Sequence, residues 1–204
     1  MKHDDSPGGD ALDVSHETLQ RLHEFVDVLS RWSRTINLVA DPNPATIWAR
    51  HVADSLQLLP LMSGRPPPAA DLGSGAGFPS LVLAIASGQP FHLIEADRRK
   101  AAFLREAVRV TGAPATVHAE RIEAARLAPV EVVTARACAP LPRLLGYAER
   151  LLGPAGVLLC LKGRTAKDEL TAARAEWQMQ VISMPSRTDP AASILQISGI
   201  RRVR

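Results

Sequence analysis

The sequence predicts an α/β protein: a mostly parallel sheet with helices on both faces, an antiparallel edge strand and an N-terminal helical cap. Three observations carry this. From Ala69 onward, short apolar runs alternate with helical patterns, as they do where crossover helices cover both faces of a parallel sheet. A glycine-rich turn joins the first such run to the first helical pattern. The last two runs have no helical pattern between them, so they pair antiparallel at one edge.

The elements follow in order. Residues 1–12 read as a flexible terminus containing Gly and Asp. Residues 13–62 form the cap. From Ser15 to Trp32, the apolar residues Leu19, Leu22, Phe25, Val26, Leu29 and Trp32 recur three and four apart, which is an amphipathic helix. A second helix, Ala45 to Met62, places Ile47, Trp48, Val52, Leu56 and Leu59 on one stripe, after Asp41-Pro42-Asn43-Pro44. The run Ser63-Gly64-Arg65-Pro66-Pro67-Pro68 then ends all periodicity. Residues 69–204 form the sheet domain. Its strands are expected at Ala69–Leu72, Phe91–Ala96, Ala115–His118, Val130–Thr134 and Val157–Leu161. Its helices are expected at Pro79–Ser87, Arg98–Thr111, Leu141–Leu152 and Ala166–Glu176. The edge pair is Met179–Pro185 and Ala192–Ile200.

Composition excludes several classes. With 204 residues, 46% hydrophobic and 22% charged, the chain suits an ordinary globular domain with a substantial core. The longest uncharged apolar stretch, Phe78 to Phe91, is interrupted by Pro79, Gly88 and Pro90 and is too short for a bilayer helix. The acidic start, without an apolar segment behind it, is not a signal peptide, so the chain is expected in the cytoplasm. Two cysteines, Cys138 and Cys160, make neither a disulfide framework nor a metal motif, and no metal is expected. Arg98, Arg99, Lys100, Arg105 and Arg109 fall within a stretch whose only acid is Glu106. Such a cluster suits a polyanion, or is the solvated face of a helix. Aromatics at 4% do not supply a stacking platform for single strands.

The strongest local signal is Ala70-Asp71-Leu72-Gly73-Ser74-Gly75-Ala76-Gly77-Phe78-Pro79, where the first strand ends and the first helix begins. Gly73, Gly75 and Gly77 allow a tight turn and a close approach of backbone to ligand. The third glycine of a dinucleotide fingerprint is replaced by Phe78, which argues against a pyrophosphate on this helix. Glu95 ends the second strand, 22 residues beyond Gly73, at the remove expected of an acid that takes both ribose hydroxyls. A nicotinamide enzyme needs a second half-sheet or a substrate domain, for which too little chain remains. S-adenosyl-L-methionine has no phosphate, tolerates Phe78 and suits a single Rossmann-like sheet with an antiparallel edge strand.

The blocks Trp32–Leu38 (W-x(5)-N-L), Arg50–Ser55 (R-H-x-x-D-S), Asp71–Pro79, Lys100–Glu106, Glu120–Glu123, Arg136–Leu141 and Leu161–Gly163 stand in one order over most of the chain. Together they resemble the glucose-inhibited division protein B family, the ribosomal RNA small-subunit methyltransferase G group. The resemblance implies a class I S-adenosylmethionine-dependent methyltransferase fold and methyl transfer to N7 of a guanine in 16S rRNA, guanine 527 in the usual numbering. It implies 16S rRNA or the small ribosomal subunit as partner; a monomer is expected, although the sequence does not reveal oligomeric state. It also assigns cofactor contacts to Gly73, Phe78, Ile122, Glu123 and Arg136, with Glu95 as the ribose acid. Two departures are Ser80, where members often carry Gly, and Val39-Ala40, where many read Thr after Asn-Leu.

Several residues keep two readings. Ile122 lies against adenine or belongs to the core. Arg136 and Lys162 end candidate strands at the ligand edge, where they hold the cofactor carboxylate or the guanine O6, or else form structural ion pairs. His51 sits beside an expected Arg50–Asp54 pair or belongs to the substrate site. Arg98, Arg99 and Lys100 oppose the helix dipole, which points to RNA phosphate as what favours them. No Asn/Asp-Pro-Pro-Tyr/Phe follows the fourth strand and no Pro-Cys is present, so amino-group and cytosine chemistry are disfavoured. No side chain is assigned as a general base. The competing functions are methylation of a small molecule or protein, and a non-catalytic ribosome-assembly module.

Overall fold

The computed structural model describes residues 14–203, so the expected flexible terminus, residues 1–12, lies outside the described residues. The cap opens with α1 (His16–Trp32), whose N-cap Ser15 accepts from the Thr18 amide. Its stripe of Leu22, Phe25, Val26 and Leu29 is buried. The Asp41–Pro44 segment starts a helix as well as separating two: Asn43 caps α2 (Pro44–Ile47) and Pro44 occupies its first turn.

The second cap helix is not the continuous Ala45–Met62 element its stripe suggested. After α2 comes a π-helical turn, Trp48–Val52, in which Ala53 N–H bonds Trp48 C=O five residues back. Two short helices, α3 (Ala53–Leu56) and α4 (Leu59–Met62), follow. The wider turn shifts the azimuth of His51 and Asp54. The expected Arg50–Asp54 pair therefore does not form; Asp54 is bound instead by Gln57, Ser186 and Thr188.

The sheet holds β1 (Ala69–Leu72), β2 (Phe91–Ile94), β3 (Ala115–His118), β4 (Val130–Arg136), β5 (Leu152–Lys162), β6 (Trp177–Pro185) and β7 (Ser193–Arg202), in the order β3-β2-β1-β4-β5-β7-β6. The first five strands are parallel, whereas β7 pairs antiparallel with both β5 and β6. Between them run α5 (Ser80–Ser87), α6 (Arg98–Thr111), α7 (Leu141–Leu151) and α8 (Ala166–Arg174). β5 begins five residues earlier than its apolar run, because Leu152 already pairs with Val130.

Alternation along the strands divides the core. Ala69 and Leu93 face α1, the cap turns, α5 and α6, while Ala70, Leu72 and Ile94 face the side covered by α7 and α8. The cap shares the first core, and Arg21 of α1 donates to the Thr111 and Gly112 carbonyls at the end of α6. A cation there satisfies orphan carbonyls and opposes the negative helix end. No helix among the described residues is long and apolar enough to cross a membrane. The order of the parallel strands reverses between β1 and β4, so a crevice opens beyond their carboxyl ends.

Candidate functional site

The glycine turn lies at that crevice. Gly73 has φ +65°, and a Cβ there would stand 2.6 Å from the Cys138 Sγ. Gly77 has φ +85° and would crowd Leu81 and Phe25 at 3.2 Å. Both positions therefore need glycine for conformation and for space. Glu95, almost fully buried, ties the turn down: one carboxylate oxygen accepts from Gly75 N–H at 2.8 Å and the other from Asp97 N–H at 2.8 Å.

A cleft of about 210 Å³ opens beside it, lined by Gly73, Ile94, Glu95, Ile122, Glu123 and Cys138, with Arg143 and Tyr147 on its outer wall. The expected residues Gly73, Glu95, Ile122 and Glu123 are thus brought together. Ile122 lines the cleft and also packs against the core, so both of its readings have support. Glu123 accepts from the Tyr147 hydroxyl at 2.6 Å and from Arg143 at 3.0 Å, and these bonds, Tyr147 first, hold its carboxyl down to about 2. Cys138 is a wall that sequence reasoning missed. Burial, with Asp71 and Glu95 nearby, pushes its thiol up to about 11, so it packs and does not attack. Arg143 and Tyr147 were missed too, although their four-residue spacing on α7 puts them on one face.

Phe78 is not on the wall of this cleft. Its ring is buried against Phe25 at 5.3 Å, His51 at 5.1 Å and the Arg136 guanidinium at 4.7 Å. It faces the cap and builds the floor beneath the turn. Arg136 faces the same way. Its Nη1 meets the His51 Nδ1 at 2.9 Å, and it is absent from the wall of the Gly73–Glu95–Ile122 cleft. The reason is strand alternation: Arg136 shares its face of β4 with Val132, which packs in the cap-side core, while Val133 and Ala135 face the other way. Ala137, at φ +50°, is the one non-glycine in left-handed backbone among the described residues, and it turns the chain after β4.

Lys162 corrects its ligand-edge reading. Its ammonium is buried, donates to Ala139 C=O at 2.8 Å and pairs with Glu169 at 2.8 Å. Glu169 also accepts from Leu141 N–H, so the pair anchors the start of α7. Both acceptors spend the charge structurally.

Asp71 carries information the sequence reading did not use. It is fully buried at the end of β1 and accepts from Thr134 Oγ1 at 2.6 Å and Ser80 Oγ at 2.8 Å. Burial raises its carboxyl to about 6 against those hydroxyls. Ser80, the departure from the family pattern, therefore holds a buried acid. An acid inside an apolar four-residue strand was the available signal.

Arg98, Arg99 and Lys100 open α6. Asp97 is its N-cap and accepts from the amides of Arg99 and Lys100, so a local carboxylate offsets part of their conflict with the dipole. Arg98 and Arg99 are exposed. A wider hollow of about 560 Å³ lies outside Glu123. Its Arg126 and Arg150 are spent on the carbonyls of residues 123–125.

The family model described as rRNA small subunit methyltransferase G matches residues 18–194. The chain belongs to this family. It is 57% identical over 190 residues to the ribosomal RNA small subunit methyltransferase G of Granulibacter bethesdensis, covering 93% of this chain and 89% of that one. The protein of the same name from Rhodospirillum centenum is 54% identical over 190 residues, covering 93% and 88%. Among solved structures, an O-methyltransferase from Bacillus cereus in complex with SAH superposes with a TM-score of 0.59 at 13% identity, covering 93% of this chain and 94% of that one. At that identity the likeness shows the fold alone: this methyltransferase G family member has a Rossmann-like, mostly parallel sheet of the class I methyltransferase type.

Proposed function

We propose that the chain transfers a methyl group from S-adenosyl-L-methionine to N7 of a guanine in 16S rRNA of the small ribosomal subunit, at the position corresponding to guanine 527. The carrying observation is the cleft in which Gly73, Glu95, Ile122 and Glu123 converge beside a turn that tolerates no added Cβ. These residues fit the cofactor. Glu95 keeps further lone pairs for ribose hydroxyls beyond its two backbone donors. Ile122 offers an apolar face to adenine, Glu123 stands at the amine end, and Gly73, Gly75 and Gly77 keep side chains out of the way. When bound, the cofactor supplies an electrophilic sulfonium methyl.

The chain's own residues then need only position and exclude water. Guanine N7 has an available lone pair, and its attack releases no proton, so no general base is required. The structure's chemistry is consistent with this division of labour: the Cys138 thiol is held protonated and Lys162 is committed to Glu169. Arg98, Arg99 and Lys100 take RNA phosphates at the rim. Arg136 stands where it serves the methionine end of the cofactor together with Phe78. In this reading the chain works in the cytoplasm, as a monomer and without a metal.

The test is transfer of labelled methyl from S-adenosylmethionine to assembled small subunits, to naked 16S rRNA and to bulk protein. Label at guanine N7 of the rRNA is the expected result. Label only in protein would replace this reading with the small-molecule or protein methyltransferase alternative, and no transfer despite cofactor binding would favour an assembly module.

A further inference from the structure

The cofactor reading has a directional consequence. With ribose at Glu95 just beyond β2 and adenine at Ile122 beyond β3, the opposite end of the ligand lies over β1 and β4. The walls there are Phe78, Arg136 and the π turn of the cap, which carries His51. An acceptor base has to reach the methyl group at this end. π turns concentrate at functional positions, and this one is what separates His51 from the regular helical stripe.

N7 methylation poses a recognition problem. Guanine and adenine both offer N7 as an acceptor and differ on that edge at position 6, a carbonyl in one and an amino group in the other. Discrimination needs a group that donates and cannot accept. Imidazole normally fails this test, because either nitrogen can carry the proton. His51 is constrained. Arginine only donates, so the 2.9 Å contact from Arg136 Nη1 requires the His51 Nδ1 to accept, and the proton of the neutral ring sits on Nε2. The contact with Arg136 is the side-chain hydrogen bond that the ring makes among the described residues. Burial and the Arg136 charge push the ring down to about 4 against the Arg50 backbone, which raises it, so the neutral form prevails at ordinary pH. Neutrality also suits a reaction whose product is a cationic guanine.

We propose that His51, locked by Arg136 as an Nε2–H donor, is the specificity-determining residue that donates to the guanine O6 and rejects adenine. The inference rests on the rRNA reading above. Its logic is asymmetric. Adenine would face the fixed N–H with a second donor, and neither could be satisfied in a dry contact. Asp54, three residues on, binds Ser186 and Thr188 and so fixes the same turn against the β6–β7 loop.

The experiment measures single-turnover methylation of small subunits reconstituted with guanine, 2-aminopurine or adenine at the acceptor position. 2-Aminopurine keeps N7 and lacks O6. His51→Ala is expected to slow guanine methylation on the order of 10²-fold, the usual cost of one oriented donor. On 2-aminopurine the parent should already be slow, and His51→Ala should add nothing. His51→Gln, whose amide can turn either end outward, should recover most guanine activity and methylate adenine measurably better than the parent does. In the parent, the ¹⁵N spectrum of the His51 ring should show a protonated Nε2 and an unprotonated Nδ1. An equal His51→Ala penalty on guanine and 2-aminopurine, or a proton on Nδ1, overturns the proposal. A parent chain that binds S-adenosylmethionine but methylates no small-subunit guanine overturns the rRNA reading instead.

Discussion

The two halves of the crevice are built from different materials. The proposed cofactor side is backbone held by one acid: Glu95 reaches the Gly75 amide 20 residues away and the Asp97 amide two residues away. The cap side is side chain against side chain across the whole sequence, with Arg136 meeting His51 across 85 residues and Thr188 meeting Asp54 across 134. Backbone amides bind a constant cofactor and leave little room for variation. Side chains brought from three regions can be tuned to one acceptor.

Four changes would break or sharpen this contrast. The largest effect is expected from Lys162→Met, which leaves Glu169 uncompensated at the start of α7, on the face opposite the cap. Breaking a buried pair from one side costs about 3–5 kcal/mol. Denaturant unfolding should show that loss, and S-adenosylmethionine affinity of the folded fraction should stay unchanged. A folded variant with the parent's stability and a weakened cofactor site would return Lys162 to the ligand edge.

Next in size is Glu95→Ala, which strands two loop amides and removes the ribose acceptor. Cofactor affinity by calorimetry should fall by about 1.5–3 kcal/mol, roughly 10- to 150-fold. Gly75→Leu should block the same site sterically. Parent-like affinity in both variants would mean the cleft is not the cofactor site.

Neutralising Arg98, Arg99 and Lys100 together should reduce the salt dependence of RNA binding by up to about 0.7–0.9 log unit per lost phosphate contact. Cofactor affinity should not move. An unchanged slope would assign the three cations to a solvated helix start capped by Asp97.

The smallest effect concerns acid stability, and its sign differs between two buried groups, His51 and Asp71. His51 falls from 6.5 unfolded to about 4 folded, so the unfolded chain binds more protons in that window and stability is lost as pH drops through it. Asp71 rises from 3.8 to about 6, so the folded chain binds more protons and stability is gained as pH drops from 6 to 4. In the parent the two oppose each other. His51→Gln should therefore melt with less acid sensitivity than the parent between pH 4 and 6.5, and Asp71→Asn with more. Identical pH dependence in all three proteins would show that neither group keeps its shift.

The parallel strands were legible because their signals are local. Ala69–Leu72 lies between Pro68 and Gly73, Ala115–His118 follows Gly112 and Pro114, and α6 matched its expected span, Arg98–Thr111, with its capping acid in front. The crossover order then follows from the rarity of any other connection. What sequence could not supply was direction. Glycine spacing locates a turn but does not say that Phe78 turns its ring to the cap, and a helical stripe is blind to the single extra residue that makes Trp48–Val52 a π turn.

The sequence by itself determined the strands and helices of the sheet domain, the glycine turn and the family, since each is marked by residue patterns local to its own segment. Only the tertiary structure decided which cations are free. Lys162, Arg136 and Arg98 look alike as charges in a string. One is buried against Glu169, one donates to a histidine of the cap, and one is exposed beside a capped helix start. The physical reason is that a charge is defined by its partner and its solvation, and both are set by chain segments that periodicity does not bring together.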